Sequence, residues 1–258
     1  MNRKQCAGKL ELNKRLGILL CDEHHPDSIK RFGSFDNDYK MMVERVMPGQ
    51  WQYSVWRCYQ DSFPSSVDQC DAWVISGSKS SAYDSEPWIL KLKRLIVDLA
   101  MSDSLLVGIC FGHQIIHQSL GGRVQKFPGG WGLGAYPVKA LSDFGSFKSG
   151  STIRVLAVHQ DQVDLLAPGF SLLATSDFCE NAITRRSSKI LTWQAHPEFI
   201  DGFFIDVCAR LRTMVADRLI DQAVGAIGLP DDRHQAGKTI VHFLAGNGLG
   251  QEATDRPV

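Results

Sequence analysis

One of the seven cysteines stands in surroundings that suit a nucleophile. Cys110 follows an apolar run, 105–109, and precedes a segment with helical apolar spacing. Glycines two before and two after it, Gly108 and Gly112, leave room for a sharp strand-to-helix turn that would expose the sulfur. At a helix N-terminus, unpaired N–H groups and the helix dipole favour the reactive thiolate. Taken alone, however, Gly-x-Cys-x-Gly also describes a buried structural cysteine between two turn glycines.

A cysteine nucleophile needs a base, and the base usually needs an acceptor that orients it. His196, Pro197 and Glu198 follow the apolar run 190–194 and supply both groups. Pro197 disfavours a helical conformation at His196, so His196 and Glu198 can point to the same side. Glu198 could then accept from one ring nitrogen while the other faces Cys110. In isolation, His-Pro-Glu is more often a turn with a solvated carboxylate, and only its pairing with Cys110 favours catalysis.

Together these motifs resemble those of the class I glutamine amidotransferases, whose glutaminase domain has a Gly-x-Cys-x-Gly-[His]-Gln turn and a later His-Pro-Glu. Segment 75–78, Ile-Ser-Gly-Ser, stands where that family places the glycine loop of its oxyanion hole. Segment 158–163 resembles the family's His-x-Asp segment near the γ-glutamyl site. The resemblance spans residues 16–219. It is strongest to stand-alone, GMP-synthase-like members, including the γ-glutamyl peptidases, although segment 79–84 is longer and more basic here.

The resemblance implies cleavage of a γ-glutamyl amide bond through a glutamyl thioester. Cys110 would attack the amide carbon, His196 would move the protons, and Glu198 would orient His196. The N–H groups of Gly77 and Phe111 would hold the oxyanion. If His196 were not the base, His113, His117 or His159 would be. The candidate substrate-binding residues are Gln114, His159, Gln160 and Asp161 for the glutamyl group, with Trp131 and Tyr83 beyond the scissile nitrogen.

The elements that must position these residues predict an α/β fold. Apolar runs at 16–20, 51–59, 72–75 and 105–109 alternate with helical patterns at 36–46 and 88–101 and after Cys110. This order predicts a flavodoxin-like, mostly parallel sheet flanked by helices. Added antiparallel strands are expected at 124–127, 134–141, 152–158, 170–175, 182–186 and 190–194, followed by a helix at 201–223.

We expect three regions in the chain. Residues 1–15 form a polar leader, residues 16–225 form the amidotransferase-like domain, and residues 226–258 form a C-terminal tail. The tail is expected to be loose from about residue 228. Its apolar patch, 240–244, would pack on the body or on a neighbouring subunit.

Composition excludes several classes of function. Twenty-eight basic and 28 acidic residues leave a formal net charge of zero, so no global field would recruit nucleic acid or an anionic membrane. No run approaches the roughly 18 apolar residues of a membrane span, and the leader lacks the apolar stretch of a signal peptide. An odd number of cysteines without a Cys-x-x-Cys pair fits a reducing compartment. We therefore expect a soluble, cytoplasmic protein.

Neither a metal nor a cofactor is expected. The adjacent residues His24 and His25 invite a metal site, but neighbouring side chains cannot easily share one ion and no third ligand is evident. The sequence also lacks a Gly-rich phosphate loop and the Ser-Gly-Gly-x-Asp-Ser motif of ATP pyrophosphatases. Any chemistry on an ammonia acceptor would therefore need another polypeptide.

Three hypotheses remain open at this point. The chain could be a free-standing hydrolase of small γ-glutamyl substrates larger than glutamine. It could be a glutaminase subunit that supplies ammonia to a synthase partner chain. It could be a non-catalytic regulatory relative, which the presence of nucleophile, base and orienting acceptor disfavours. The sequence leaves the leaving amine and the oligomeric state undetermined.

Overall fold

A nine-stranded mixed sheet forms the centre of the structure, a computed structural model that describes residues 14–249. Two further sheets have two strands each. The strands are β1 (Lys14–Leu20), β2 (Trp51–Arg57), β3 (Ala72–Ile75), β4 (Leu105–Ile109), β5 (Arg123–Lys126), β6 (Gly132–Gly134), β7 (Pro137–Ala140), β8 (Thr152–Arg154), β9 (Ala157–His159), β10 (Asp161–Leu165), β11 (Phe170–Thr175), β12 (Ile183–Arg186) and β13 (Ile190–Trp193).

The large sheet has a parallel half and an antiparallel half. Strands β2, β1, β3, β4 and β13 lie side by side and parallel, and β12, β11, β7 and β8 extend the sheet with antiparallel pairing. The two small sheets pair β10 with β5 and β6 with β9. The predicted α/β, flavodoxin-like fold with added antiparallel strands is therefore confirmed.

Helices cover both faces of the sheet, which explains the continuous apolar character of the central strands. The helices of the described residues are α1 (Pro26–Phe32), α2 (Phe35–Val46), α3 (Pro87–Met101), α4 (Phe111–Ser119), α5 (Asp201–Leu211), α6 (Asp217–Gly225) and α7 (Arg233–Leu244). One core cluster contains the inner faces of α3 and α4, and the other contains those of α2, α5, α6 and α7.

The parallel half brings the candidate site together. Strands β3, β4 and β13 end at Ile75, Ile109 and Trp193, so the segments that follow them emerge at one edge of the sheet. In open α/β sheets this carboxyl edge is where ligands bind. Helix α2 follows β1 and packs beside it, which carries its buried face to the same edge.

The antiparallel additions differ from the sequence prediction in their boundaries. The single strand expected at 134–141 is split into β6 and β7, which belong to different sheets. Gly134 adopts a φ of +87° at the break, a conformation that ends regular pairing. The strand expected at 152–158 is likewise split into β8 and β9, and β10 was not predicted. Alternating polarity shows that a segment is extended, but it does not show where the segment changes its partner.

Two helix predictions also need correction. The helix expected at 201–223 is two helices, α5 and α6, because the chain turns where Val215 is buried in the core. No glycine or proline marks that turn in the sequence. Helix α2 begins at Phe35 after Ser34, and Asp36, the expected cap, lies inside the helix and forms an ion pair with Lys40. Helix α1 was not predicted.

The ends of the domain are also corrected. Residues 1–13 of the expected leader lie outside the described residues, and Lys14 and Arg15 belong to β1. The expectation of a loose tail is wrong for residues 233–244, because they form α7 and pack against α2 and β4. The apolar patch expected at 240–244 packs on the body of the protein, with Ile240, Val241 and Phe243 buried. Residues 250–258 lie outside the described residues.

We expect the core role of α7 to appear as a loss of stability in Phe243→Ala. Phe243 is 1% exposed, and truncating a buried phenylalanine to alanine typically lowers the free energy of unfolding by about 3–5 kcal/mol. Leu229→Ala is the control, because Leu229 is 65% exposed and should change stability by less than about 0.5 kcal/mol. Urea denaturation of both variants measures the difference. Equal stabilities would contradict the placement of α7 in the core.

Candidate active site

Cys110 occupies a sharp turn between β4 and α4. Its backbone has φ +54° and ψ −107°, a conformation that non-glycine residues rarely adopt. The N–H of Cys110 donates a hydrogen bond to the carbonyl of Trp193 at 2.8 Å, which ties the turn to the end of β13. The structure therefore places Cys110 on the strand-turn-helix arrangement that the two flanking glycines predict.

The two glycines allow α4 to approach the sheet at backbone contact. A Cβ on Gly112 would lie 2.2 Å from the carbonyl oxygen of Ile75, and a Cβ on Gly108 would lie 2.5 Å from the carbonyl oxygen of Gly112. Both distances are far below van der Waals contact, so neither position accepts a side chain without movement of the backbone. The two glycines therefore determine how closely α4 approaches the sheet, and with it the position of Cys110.

His196 and Glu198 form a hydrogen-bonded pair in the loop after β13. Nδ1 of His196 lies 2.7 Å from Oε1 of Glu198, and both side chains are almost completely buried. The N–H of His196 donates to the carbonyl of Leu156 at 2.7 Å, and its ring stacks on Phe199 at a centroid distance of 4.0 Å. The imidazole is thus fixed on its backbone, on one face and on one nitrogen.

The charges around His196 favour its protonated form. Burial lowers the pKa of His196, but the negative charges of Cys110 and Glu198, together with hydrogen bonds to both, outweigh burial and raise it to about 10. A histidine that stays cationic beside a thiolate can donate a proton to a leaving group. The arrangement suits nucleophilic attack followed by general acid catalysis.

The loop after β3 lies against both groups. A Cβ on Gly77 would come within 3.0 Å of Cε1 of His196 and 3.8 Å of Cβ of Cys110. The N–H of Gly77, however, donates to the hydroxyl of Tyr39 at 3.2 Å, so it does not fit the expected role of oxyanion donor. Within residues 14–249, the next N–H in the loop, that of Ser78, has no hydrogen-bond partner. Nor does the N–H of Phe111, at the first position of α4.

Tyr39 is a site residue that the sequence analysis missed. It is fully buried on α2, and its hydroxyl accepts from Gly77 and donates to Oε1 of Glu198 at 3.2 Å. Burial raises the pKa of its neighbour Asp38 to about 6, although His24 opposes this, and the charge of Glu198 adds to the rise. Asp38 therefore also lies close to the site. In the sequence Tyr39 fits the apolar face of a helix, and its hydroxyl group is the only hint of a polar role.

Four of the six expected substrate-binding residues meet beside Cys110. Nε2 of Gln114 donates to the carbonyl of Asp161 at 2.8 Å, and Nδ1 of His159 lies 3.1 Å from the same carbonyl. The hydroxyl of Tyr83 donates to Oδ1 of Asp161 at 3.2 Å. The carbonyl of Val158, directly before this segment, lies 3.7 Å from Sγ of Cys110. This segment therefore forms a wall of the site.

The two remaining residues are less directly placed. The carbonyl of Gln160 accepts from the N–H of Phe127 at 2.9 Å, which joins its segment to the end of β5. Trp131 is half-buried and packs on the core directly before Gly132, the residue that pairs with His159 between β6 and β9. The structure thus puts Trp131 directly before β6, the strand next to the wall. Among the described residues Trp131 has no hydrogen bond to that wall.

Comparison with known proteins identifies the family. The family model described as glutamine amidotransferase class-I matches residues 35–204, a range that includes Tyr39, Cys110, His196 and Glu198. The chain belongs to the class I glutamine amidotransferases.

Relatives cover nearly the whole amidotransferase. A protein of Schizosaccharomyces pombe named as glutamine amidotransferase-like is 33% identical over 90% of this chain and 99% of its own length. Gamma-glutamyl peptidase 5 of Arabidopsis thaliana is 28% identical over 90% of this chain and 96% of its own. A solved glutamine amidotransferase structure from Methylobacillus flagellatus has a TM-score of 0.70 and 17% identity over 96% of this chain and 99% of that one, which shows the shared fold.

The other buried histidines of the amidotransferase are engaged elsewhere. Nδ1 of His113 lies 2.7 Å from Oγ1 of Thr192, and Nε2 of His117 lies 2.9 Å from Oγ1 of Thr184. Burial lowers the pKa of His117 to about 3 and that of His113 well below 6.5. His159 contacts Tyr136 and Asp161 at its two nitrogens, and burial lowers its pKa to about 4. A lowered pKa marks a weak base, and the three rings are bonded to partners other than Cys110, whereas His196 is bonded to Cys110 and Glu198. His196 therefore suits the role of base better.

The paired histidines at 24 and 25 are also accounted for. The His24 ring lies between Phe203, on which it stacks at 4.0 Å, and Asp38, whose Oδ2 is 3.1 Å from its Nε2. His25 accepts from the N–H of Asp27 at the start of α1. Between residues 14 and 249, no three His, Cys, Asp or Glu side chains lie close enough to hold a metal ion. Over the same residues, no helix is long and apolar enough to cross a membrane.

The close approach of α4 predicts that Gly112→Ala is destabilising. Its Cβ would clash with the carbonyl of Ile75, and overpacking of this kind typically lowers the free energy of unfolding by about 1–3 kcal/mol or more. The control is Gly225→Ala at the end of α6, where a Cβ meets nothing within 4 Å and stability should be unchanged or slightly higher. Thermal unfolding compares them. A stable Gly112→Ala variant with normal alkylation of Cys110 would contradict this account of the turn.

Proposed function

We propose that this amidotransferase hydrolyses a γ-glutamyl amide bond through a glutamyl-thioester intermediate and acts without a partner chain. The observation that carries the proposal is the placement of Cys110, on a positive-φ turn at the start of α4, beside a His196 that is hydrogen-bonded to Glu198 at 2.7 Å. Nucleophile, base and orienting acceptor are thus assembled from two distant segments of the chain.

In the proposed reaction, the sulfur of Cys110 attacks the amide carbon and forms a tetrahedral intermediate. The N–H groups of Phe111 and Ser78 would stabilise its oxyanion, since both lack other partners among the described residues. His196 gives its proton to the leaving amine, and the C–N bond breaks to leave the thioester. His196 then removes a proton from water, which attacks the thioester and releases glutamate and the Cys110 thiolate.

The wall beside Cys110 is the proposed binding surface for the glutamyl group. The carboxylate of Asp161 is suited to the α-ammonium group, and Gln114 and His159 hold its backbone in place. Gln160 continues this wall. We assign the space beyond the scissile nitrogen to Tyr83, hydrogen-bonded to Asp161, and to Trp131. Lys79 is exposed and forms an ion pair with Asp22. It belongs to segment 79–84, which is longer and more basic than the same loop in the relatives that the sequence resembles.

The compartment proposed for the reaction is the cytoplasm. All six cysteines within residues 14–249 are free, including the proposed nucleophile. A catalytic thiolate remains active only where the surroundings keep it reduced.

The proposed substrate class predicts a preference among γ-glutamyl amides. If the site leaves room past the scissile nitrogen, kcat/KM for an alkyl- or aryl-substituted γ-glutamyl amide should exceed that for glutamine by at least about tenfold. Trp131→Ala should reduce that preference more than it slows glutamine hydrolysis. A panel of γ-glutamyl amides that includes glutamine, incubated with the pure protein, gives both values. Equal or faster turnover of glutamine, or strong activation by a synthase chain, would favour the ammonia-supplying alternative.

The proposed roles predict an order among three variants. Cys110→Ala should lose on the order of 10³-fold or more in kcat, and His196→Ala should approach the same background, because residues that act as a unit fail together. Glu198→Gln should retain more activity than either. The exposed His25 provides the control, and His25→Ala should stay within about twofold of the parent. A diazoketone glutamine analogue should label Cys110 alone; labelling of Cys21 or Cys179 instead, or full activity in His196→Ala, would overturn the assignment.

A further inference from the structure

The buried hydroxyl of Tyr39 joins two loops that come from different strands. It accepts the N–H of Gly77, in the loop after β3, and donates to Oε1 of Glu198, in the loop after β13. Within residues 14–249, no other side chain hydrogen-bonds to both Gly77 and Glu198. Burial, together with the charge of Glu198, raises the pKa of Tyr39 well above 10, so the phenol keeps its proton.

We propose that Tyr39 is a positioning residue of the amidotransferase, which holds the Glu198 carboxylate and the loop at Gly77 in one fixed arrangement around Cys110. The inference rests on the proposed function, since it assigns a role within that reaction. It adds a residue from α2 to the proposed reacting groups, which come from the segments that follow β4 and β13.

The Glu198 carboxylate has few hydrogen-bond donors. Its Oε1 accepts from His196 and from Tyr39, whereas its buried Oε2 has no hydrogen-bond partner within residues 14–249. A buried carboxylate with few donors is poorly stabilised, so each remaining donor has a large effect. Without the Tyr39 hydroxyl, the carboxylate would keep one donor among the described residues, His196, and that contact alone would hold its rotation.

The loop after β3 is also held by Tyr39. The N–H of Gly77 is directed at the Tyr39 hydroxyl, and the next peptide, which carries the N–H of Ser78, is joined to it through one Cα atom. Within residues 14–249, the N–H of Ser78 has no hydrogen-bond partner. Loss of the hydroxyl would leave the Gly77 N–H buried without an acceptor. The loop would then relax, and the proposed oxyanion donor would move with it.

Several titratable groups face Tyr39 and must be considered in any pH experiment. Glu198 and His196 lie on the loop after β13, and Cys110 lies on the turn after β4. Asp38 lies on α2 itself, with His24, from the segment after β1, against it. The charge and hydrogen bond of Glu198 help to raise the pKa of His196, so a less firmly held Glu198 should lower the pKa of His196. The basic limb of the kcat/KM profile, where His196 loses its proton, should therefore move to lower pH.

The test compares Tyr39→Phe with Tyr53→Phe. Phenylalanine fills the volume of the ring and removes only the hydroxyl, and Tyr53 offers a matched control because its hydroxyl binds Glu44 on the outer part of the fold. We expect Tyr39→Phe to lower kcat about 10–100-fold with KM within about twofold, and to move the basic limb of the kcat/KM profile to lower pH. Tyr53→Phe should change none of these values. Unchanged kcat and pH profile in a folded Tyr39→Phe protein would overturn the proposal.

A double-mutant cycle shows whether Tyr39 acts through Glu198. In a Glu198→Gln background, Tyr39→Phe should cost less than about threefold, because the carboxylate that it positions is gone. A full additional loss in that background would mean that Tyr39 acts in another way, and the proposal fails. In an Asp38→Asn background the shift of the basic limb should persist. Its disappearance would assign the shift to Asp38 and also overturn the proposal.

A further measurement separates this inference from the proposed function. The pH dependence of Cys110 alkylation by iodoacetamide requires no substrate and reports the charge state of the Cys110–His196 pair. Tyr39→Phe should shift this profile relative to both the parent and Tyr53→Phe. If the parent protein hydrolyses no γ-glutamyl amide, the proposed function fails while the alkylation profiles still decide the role of Tyr39.

Discussion

The positive-φ backbone of Cys110 is the constraint on which the rest of the site depends. A non-glycine residue in such a conformation typically costs about 1–3 kcal/mol and persists only when its surroundings determine it completely. Here β4 is buried on both faces, the Cys110 N–H is bonded to Trp193, and α4 is seated at backbone contact through Gly112. Buried hydrogen bonds from two histidines of α4 to Thr184 and Thr192 fasten the helix to β12 and β13, where the two halves of the sheet meet. The conformation of this one residue is thus held by contacts from several strands of the sheet.

The two halves of the sheet make different contributions. The parallel half carries the proposed reacting groups, because its strands end at one edge and each end carries a short loop. The antiparallel half delivers the wall formed by β9 and the start of β10, whose Val158 carbonyl approaches Cys110. This division explains why the nucleophile and the proposed substrate-binding residues come from segments of such different sequence character.

Short motifs predicted the reacting groups because their geometry is local. Glycines around Cys110 and the proline between His196 and Glu198 act on adjacent bonds, so spacing alone constrains the side chains. Tyr39 could not be predicted in this way, since its hydroxyl meets Glu198 across 159 residues of sequence, through packing. Likewise, a motif can indicate a loop suited to binding an oxyanion, but it does not show which of two successive N–H groups is already hydrogen-bonded. Here the N–H of Gly77 is bonded to Tyr39. The parallel strands could be predicted from their apolar runs. The boundaries of the antiparallel strands and the packing of α7 depend on contacts with distant segments, which local sequence patterns do not show.

The packing of α7 on α2 has a consequence for biosynthesis. Gly237 of α7 approaches Met42 so closely that a Cβ would lie 3.1 Å from the Met42 side chain, and residue 233 follows residue 46 by 187 positions (233 − 46). At about 5–20 residues per second, a ribosome needs roughly 10–40 s to cover that interval. During this time the part of α2 that α7 covers, around Met42, lacks its partner, whereas the contacts of α2 with β1 can already form. The nascent chain therefore passes through a period in which an apolar surface of the helix that bears Tyr39 is exposed, and chaperones protect surfaces of this kind.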